Sequence, residues 1–172
     1  MAWLDSLKYG NELSELLIEG HNPYSASLLQ AADVAPLQPH LPASERLQAY
    51  VLGRVVLAGR GLWVLTEGHL LMNLEGTAQP VRTVALKDIT EAQCQRGKYG
   101  YTLRITVAGQ CWSLYGTSAA LAAAFYASLQ RSVHCTPVFK PAQLDADDIA
   151  QATHHIQHAA ALLQPAAQGT PA

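Results

Sequence analysis

The sequence of 172 residues is short of charged residues, of aromatic residues and of long apolar runs. Charged residues make up 14% of the chain and aromatic residues 7%, and the net charge is −2. The densest apolar run, Ala119 to Leu129, is about half as long as the roughly 18 residues that a membrane-spanning helix needs. Since 49% of the residues are hydrophobic, the composition instead suits one ordinary globular core.

Cysteine is scarce as well, and the first residues do not resemble a secretion signal. The three cysteines, Cys94, Cys111 and Cys135, are odd in number and far apart, which favours reduced thiols over a disulfide framework. The segment from Met1 to Asp5 has no basic residue and carries an acid where a signal peptide is apolar. We therefore expect a cytoplasmic protein.

The small net charge conceals an uneven distribution. Between Ser44 and Val133, nine Lys and Arg residues face five Asp and Glu residues, a net of +4, whereas the rest of the chain has a net of −6. Acidic helix ends explain this distribution, and so does a tail that docks on the basic centre. Because the positive charges are spread along predicted strands and form no stripe interleaved with aromatic residues, nucleic-acid binding is not expected.

The first 43 residues predict two short helices and a proline-rich linker. The leucines of 13–17 share one helical face, and Asn22 followed by Pro23 is typical of the start of a second helix. The three prolines within 36–42 predict an extended linker without regular structure. The main domain is therefore expected to start near Ser44.

From Leu47 onward, the apolar residues follow the period of β-strands, and two turns predict matching pairs. A hairpin at Glu67-Gly68 sets apolar residues opposite one another: Leu65 and Leu70, Val64 and Leu71, and Trp63 and Met72. A second hairpin at Ala108-Gly109 pairs Ile105 with Trp112 and Leu103 with Leu114 on one face, with Arg104 opposite Ser113 and Thr106 opposite Cys111 on the other. This pattern is typical of antiparallel strands with one buried face.

Three further turns lie at Gly59-Arg60, Glu75-Gly76-Thr77 and Gly97-Lys98-Tyr99-Gly100. Together with the two hairpins and the break between the strands predicted at Val81–Leu86 and Ile89–Gln95, they give six connections and hence seven strands. Thr117 or Ser118 can then cap a helix whose apolar residues share one face: Leu121, Phe125 and Leu129. The prediction is a mainly β fold with flanking helices (α+β), in which a seven-stranded antiparallel barrel or sandwich is capped by a helix.

Several segments carry a resemblance to a known family: Glu45-Arg46-Leu47-Gln48-Ala49-Tyr50, Gly61-Leu62-Trp63-Val64-Leu65-Thr66, Leu86-Lys87-Asp88-Ile89, Tyr99-Gly100-Tyr101-Thr102-Leu103 and Trp112. In this order they resemble the bacterial pleckstrin-homology (PH-like) domains. The resemblance covers residues 44–133. Since it consists of core and turn positions without a chemical signature, it implies the fold more than a function.

In the eukaryotic relatives that bind phosphoinositides, several basic residues surround the first, third and sixth connections between strands. The matching connections of this chain contain one arginine, Arg60, and one acid. Arg96 and Lys98 lie in the fifth connection, which we expect at the opposite end of the domain. The resemblance therefore implies no high-affinity phosphoinositide site, and it leaves Arg60, Arg96 and Lys98 as candidate contacts for an anion or a protein partner.

Residues 134–164 predict a linker and a C-terminal helix, with a disordered tail over 165–172. Asp145 can cap this helix and Pro165 ends it. Its apolar edge contains three residues at a spacing of seven: Ile149, Ile156 and Leu163. The edge is too short for an independent coiled coil, so it needs a surface on its own domain or on a partner such as a second copy. The polar side is expected to turn three histidines to solvent: His154, His155 and His158.

Residues with the chemistry for catalysis or metal binding are present, but their spacing favours neither. No Gly-x-Ser-x-Gly elbow occurs, Cys94 and Cys111 fall inside predicted strands and are expected as small core or near-core residues rather than nucleophiles, and His69 lies beside a turn. His154 and His158 are one helical turn apart, as two metal ligands can be, but a solvated polar face explains them better because no cysteine or glutamate lies nearby. We therefore expect no enzyme, no metal and no cofactor.

Two functions remain. The first is a scaffold-like interaction module that binds another protein or assembles with itself as a homo-oligomer, which the apolar helical edges beside the domain favour. The alternative is weak peripheral binding to an anionic membrane surface through Arg60, Arg96 or Lys98, or through the apolar residues between Trp3 and Leu7.

Overall fold

The computed structural model describes residue 29 and residues 31–55, 59–74, 80–97, 100–133 and 146–163. The strands are β1 (Leu47–Val55), β2 (Gly59–Thr66), β3 (His69–Leu74), β4 (Val81–Ala85), β5 (Ile89–Gly97), β6 (Gly100–Val107) and β7 (Gln110–Thr117). The helices are α1 (Ala31–Val34), α2 (Ala119–Ser132) and α3 (Ala146–Leu163), with 3₁₀ turns at Gln38–His40 and Leu86–Asp88. Most of the predicted N-terminal helices, the linker that starts at residue 134 and the predicted tail lie outside the described residues.

The seven strands form one antiparallel sheet in the order β4-β3-β2-β1-β7-β6-β5. We call β1 to β4 the first half of the sheet and β5 to β7 the second half. β1 joins the two halves through the pairing of Arg54 with Tyr115 in β7. Because β7 runs antiparallel to β1, the β6–β7 turn lies toward the end of the sheet where β1 is connected to β2. The connection from β5 to β6 lies at the other end. The predicted mainly β fold with flanking helices is confirmed.

Both hairpins have the register that the sequence predicts. Around the first turn, the paired residues are Leu65 and Leu70, Val64 and Leu71, and Trp63 and Met72. Around the second turn, they are Ile105 and Trp112, Leu103 and Leu114, Arg104 and Ser113, and Thr106 and Cys111. Ala108 (φ 50°) and Gly109 (φ 76°) are both left-handed, as the type I′ turn of a tight hairpin requires.

The turn predicted at Gly59-Arg60 is wrong. β1 ends at Val55, and Gly59 and Arg60 already belong to β2, opposite Val55 and Arg54. Local propensity favours a turn at a glycine, but continuous pairing with β1 extends the strand through it.

Two glycines allow β7 to approach β1. Gly53 and Gly61 are paired across β1 and β2. A Cβ atom on Gly53 would lie 2.5 Å from the carbonyl oxygen of Tyr115, and one on Gly61 would lie 2.7 Å from Cδ1 of Leu114. A side chain at Gly53 would therefore push the backbone of β7 away from β1, whereas one at Gly61 would displace the Leu114 side chain.

Helix α2 covers one face of the sheet, as predicted. The Oγ of Ser118 caps the helix by accepting from the backbone N–H of Leu121 at 3.3 Å. Leu121, Phe125 and Leu129 are buried, and the ring of Phe125 lies 6.5 Å from that of Trp63 in β2. The capping residue is Ser118, because Thr117 is the last residue of β7.

The second half of the sheet has one buried face, as the alternation in β6 predicts. Tyr101, Leu103 and Ile105 are buried and Arg104 between them is exposed. At the edge strand β5, the Tyr126 hydroxyl of α2 donates to the carbonyl oxygen of Ala92 at 3.1 Å, so α2 also covers part of the open edge.

The first half of the sheet is buried on both faces. Successive residues are at most 4% exposed: Ala49, Tyr50, Val51 and Leu52 in β1, Leu62, Trp63, Val64 and Leu65 in β2, and Leu70, Leu71 and Met72 in β3. Because neighbouring side chains of a strand point to opposite faces, a second layer must cover the face that α2 does not. Burial raises the pKa of Tyr50 to about 12, with a contribution from the carboxylate of Asp33 in α1. Tyr50 therefore lies under this second layer.

The segment before β1 belongs to this layer, so the prediction of an extended linker is wrong. Leu29, Val34 and Leu37 are at most 1% exposed and join the core of the sheet, and a 3₁₀ turn occupies part of the proline-rich stretch. Proline is compatible with such a turn, and the leucines beside the prolines leave water when the segment folds onto the sheet. The core therefore continues on the N-terminal side of Ser44.

Candidate functional site

Helix α3 packs along β1, α2 and α1. Its buried line consists of Ala152, His155, Ala159 and Leu163. Two hydrogen bonds join the helix to the segment before β1: Nε2 of His158 donates to the carbonyl oxygen of Leu29 at 3.0 Å, and Nε2 of Gln38 donates to the carbonyl oxygen of Leu162 at 3.1 Å. The two alanines let the helix approach the layer beneath it closely.

The predicted apolar edge of this helix is only partly buried. Leu163 is 5% exposed and Ile156 is half-buried, but Ile149 is 53% exposed. The buried line is rotated away from this edge. Of the two surfaces expected for this edge, the chain's own domain therefore covers Leu163 and part of Ile156 but leaves most of Ile149 uncovered.

The expectation that three histidines face solvent is correct for His154 alone. His155 is 6% exposed, and burial lowers its pKa, with further electrostatic contributions from His154 and His158. His158 is half-buried and bonded to the backbone of Leu29. These histidines therefore belong to the packing of α3. No group of three metal-ligating side chains occurs among the residues that the structure describes.

The last turns of α3 and the segment before β1 enclose a groove of about 330 Å³. Its apolar lining consists of Leu41, Pro42, Ala43, Leu47, Ala160 and Leu163, and its polar residues are Gln38, Glu45 and Arg46. A groove with this lining can bury an apolar side chain. Its lining also carries charges of both signs, on Glu45 and Arg46.

Glu45 connects the groove to the β2–β3 turn. Its Oε1 accepts from Nδ1 of His69 at 2.8 Å, and its Oε2 accepts from the hydroxyl of Thr66 and from the N–H of Gly68 at 3.2 Å. Burial favours a higher pKa for Glu45, but these hydrogen bonds and the charge of His69 outweigh it and lower the pKa. Thr66 donates to the carboxylate and not to the imidazole, so the arrangement holds a turn and does not activate the hydroxyl.

The interaction between Glu45 and His69 has no local sequence signal, because the residues are 24 positions apart. Sequence reasoning placed His69 beside a turn and gave Glu45 no role. Arg46, beside Glu45, is exposed and makes no ion pair with another described residue. It is therefore a cation available at the groove.

The basic candidates occupy separate parts of the sheet. The backbone of Arg60 lies in β2 opposite Arg54, and that of Arg96 lies in β5 opposite Tyr101. Three strands separate β2 from β5. Lys98 lies outside the described residues. The backbone therefore does not bring Arg60 and Arg96 onto neighbouring strands.

A pair that the sequence did not indicate joins the two halves of the sheet. The guanidinium of Arg82 in β4 lies 4.2 Å from the ring centroid of Trp112 in β7, a cation–π contact. Trp112 is half-buried, whereas Trp63 is fully buried in the core. Arg82 is paired with the buried Met72 in β3, and paired residues lie on the same face of the sheet.

The two described cysteines differ in environment. Cys94 is 1% exposed, and burial raises its pKa to about 12, which disfavours the thiolate that a nucleophile needs. Cys111 is exposed and free, so the expectation that it is a core or near-core residue is wrong. It lies on the face of β7 that the register with Thr106 turns away from the core.

Comparison with solved structures finds similarity to bacterial proteins. A DUF1696-family protein with a pleckstrin-homology domain from Shewanella loihica is 18% identical, with a TM-score of 0.43, and the match covers 63% of this chain and 97% of that one. A pleckstrin-homology domain from Shewanella amazonensis is 22% identical, with a TM-score of 0.39, and the match covers 62% of this chain and 90% of that one. Both descriptions name the pleckstrin-homology domain, the family that the sequence resembles. No family model matches the sequence, and no curated protein matches it.

Among the described residues, no helix is both long and apolar enough to cross a bilayer.

Proposed function

We propose that the protein is a non-catalytic, cytoplasmic PH-like module that acts through protein–protein contact, either by self-assembly or with another protein. The observation that carries this proposal is the surface around α3. There the exposed Ile149 lies on the helix that forms one wall of an apolar groove, and Arg46, beside this groove, makes no ion pair with another described residue.

Exposed large apolar side chains on a soluble domain are common when single, but the combination with a concave apolar groove favours an interface. Such a surface can take an apolar side chain of a partner while it offers one of its own. The alternative of anionic-membrane binding has less support, because β2 and β5, which hold Arg60 and Arg96, are separated by three strands.

The proposal can be tested by measuring the mass of the native protein and of its complexes. Mild cross-linking in cells, followed by affinity purification of the full chain and mass measurement, should recover the chain in complexes heavier than the monomer. Ile149→Glu should reduce these complexes, whereas Ala161→Glu, at another exposed position of α3, should not. Recovery of monomer alone, both from cells and at high concentration of the purified chain, would refute the proposal.

A further inference from the structure

His155 lies in the middle of the contact between α3 and the rest of the domain. It is 6% exposed and shares the buried line of the helix with Ala152, Ala159 and Leu163. The imidazole is thus the polar member of a line whose other side chains are apolar, and it makes no hydrogen bond with another described residue. A charged imidazole in this position would have no acceptor for its protons there, and burying a charge without a partner is costly.

The described residues packed against α3 give such a charge no electrostatic support. The helix contacts α1, β1 and α2, and Gln38 bonds it to the segment before β1. The titratable side chains of these elements are Asp33 in α1, Tyr50 and Arg54 in β1, Tyr126 and Arg131 in α2, and His40, Glu45 and Arg46 in the segment before β1. The two carboxylates act elsewhere: that of Asp33 raises the pKa of Tyr50, and that of Glu45 accepts hydrogen bonds at the β2–β3 turn. None of these described side chains contributes to the pKa of His155.

The neighbours on α3 itself also disfavour a charge on His155. The ring of His154 lies 6.2 Å from that of His155, and both His154 and His158 help to lower the pKa that burial already lowers. Asp147 and Asp148 precede His155 by eight and seven positions, which is about 10–12 Å along the helix. The docked helix therefore favours the neutral imidazole.

Other contacts of α3 are modest and do not respond to acid in the same way. The alanines of the buried line, Ala152 and Ala159, bring little apolar area to the contact, which places α3 toward the less stable parts of the fold. His158 donates from Nε2 to the carbonyl oxygen of Leu29 at 3.0 Å. An imidazolium still donates from Nε2, so protonation of His158 keeps this hydrogen bond. The acid-sensitive contact is thus the one at His155.

We propose that α3 is an acid-sensitive cover of the sheet: uptake of a proton by His155 favours the detached helix, where water solvates the charge, over the docked helix. Detachment uncovers part of the β1 face that holds Tyr50. It also takes away the wall of the groove that Ala160 and Leu163 form. This step needs no second molecule, so the inference does not depend on the proposed protein contact.

The direction of the pH dependence follows from the protons bound in each state. The pKa of His155 is 6.5 when the side chain is fully solvated and lower when the helix is docked. Docking is therefore at full strength above about pH 6.5. Below it, the equilibrium constant for opening rises by up to about tenfold for each pH unit, until the pH reaches the pKa of the docked state. Glu45 responds in a separate window, because its pKa is lowered from 4.5.

Native-state hydrogen exchange of the full chain provides the test. After correction for the intrinsic pH dependence of exchange, the opening constant of the α3 amides should change less than about twofold between pH 8 and pH 7. It should then rise at least about threefold between pH 7 and pH 5.5. The amides of β6, in the second half of the sheet, should show no such rise. An opening constant of α3 that stays flat over the whole range would overturn the proposal.

A matched pair of variants assigns the proton to one histidine. His155→Leu keeps a side chain of similar size on the buried line and should abolish the rise below pH 7. His154→Leu makes the same substitution at the exposed neighbour and should retain the rise, because burial is the largest cause of the lowered pKa of His155. A rise that persists in His155→Leu, or that disappears in His154→Leu, would overturn the role of His155.

An NMR titration of the histidine Cε1–H groups in the wild-type chain needs no variant. The imidazole of His155 should titrate with a midpoint below 6.5, because docking favours its neutral form. A midpoint at or above 6.5 would overturn the proposal. Neither measurement involves complexes, so a chain that is monomeric in cells would refute the proposed protein contact and leave the acid-sensitive cover standing.

Discussion

Replacement of Glu45 tests whether a single carboxylate holds the β2–β3 turn to the segment before β1. In the native structure, this carboxylate accepts hydrogen bonds from Thr66, Gly68 and His69. Its side chain is 17% exposed and that of His69 is 34% exposed, so the contacts are shielded to different degrees. Glu45→Ala removes all three acceptors at once.

The expected loss follows from these three contacts. The bond from Thr66, which is 1% exposed, and the bond from the Gly68 N–H each contribute about 1 kcal/mol, near the net value of a hydrogen bond in a protein. The partly exposed pair with His69 contributes about 0.2–1 kcal/mol after solvent screening. Glu45→Ala should therefore lower the free energy of unfolding by about 2–3 kcal/mol.

Denaturant unfolding at neutral pH measures this loss, and Glu67→Ala is the matched control. Glu67 is an exposed carboxylate in the same turn, and its side chain makes no hydrogen bond with another described residue, so its removal should change stability by no more than about 0.5 kcal/mol. Equal stability of the two variants would refute the role assigned to Glu45.

The pH dependence gives an independent check. The hydrogen bonds lower the folded-state pKa of Glu45 below its ordinary value of 4.5. A carboxylate with a lowered pKa stabilises the folded protein above its unfolded-state pKa, and this stabilisation is lost as the pH falls through the folded-state pKa. The stability difference between wild type and Glu45→Gln should therefore shrink below about pH 4.5. A difference that stays constant down to the acid transition would contradict this sign.

Three further predictions follow from burial and charge. Trp63→Ala should lower the free energy of unfolding by about 3–5 kcal/mol, more than Trp112→Ala, because the ring of Trp63 is fully buried; equal losses in denaturant would contradict this ranking. Thiol labelling with peptide mapping should modify Cys111 in the native protein but Cys94 only after unfolding, and fast native labelling of Cys94 would refute its burial. In vesicle co-sedimentation, phosphoinositides should bind no more tightly than other lipids of equal charge, and high salt should abolish binding. Submicromolar, headgroup-selective binding that Arg60→Ala removes would contradict this expectation.

The strand registers were predictable because the evidence for them is local and redundant. Each hairpin predicts several apolar pairs from one turn position, and a shift by one residue would turn all of them to the wrong face. The turn after β1 lacked such a check. Its position was assigned from Gly59 alone, and strand pairing moved it.

The second layer of the first half-sheet also has a sequence signal, but a different one. The uninterrupted apolar runs Leu62–Leu65 and Leu70–Met72 are typical of strands covered on both faces, whereas the alternation in β6 is typical of one covered face. The same runs imply that something must cover the face opposite α2. The leucines around the prolines before β1 and the alanines of α3 supply part of that cover.

The candidate site was less predictable for two reasons. Its residues are far apart in the sequence, and the seven-residue spacing along α3 does not match the period of a straight helix. Glu45 and His69 meet only when β2 and β3 are folded beside the segment before β1. Along α3, a spacing of seven residues drifts by about 20° per repeat on a straight helix. Over two repeats, this drift places Ile149 about 40° around the helix from Leu163. The edge is apolar along its whole length in the sequence, but in the structure it is buried at Leu163 and exposed at Ile149.

The stability of the domain and its proposed interface share the same helix. The inner side of α3 packs along β1 and helps keep Tyr50 and its neighbours from water, while its outer edge carries Ile149 and one wall of the groove. Deleting the helix would expose apolar surface, which costs about 25 cal/mol of folding free energy per Å², and would also remove the interface. A change in oligomer mass after truncation could therefore come from unfolding or from the lost interface. Point substitutions at Ile149 separate the two, because this side chain contributes little burial to the folded chain. The exposed end of the edge is thus the position where association can be changed while the fold is kept.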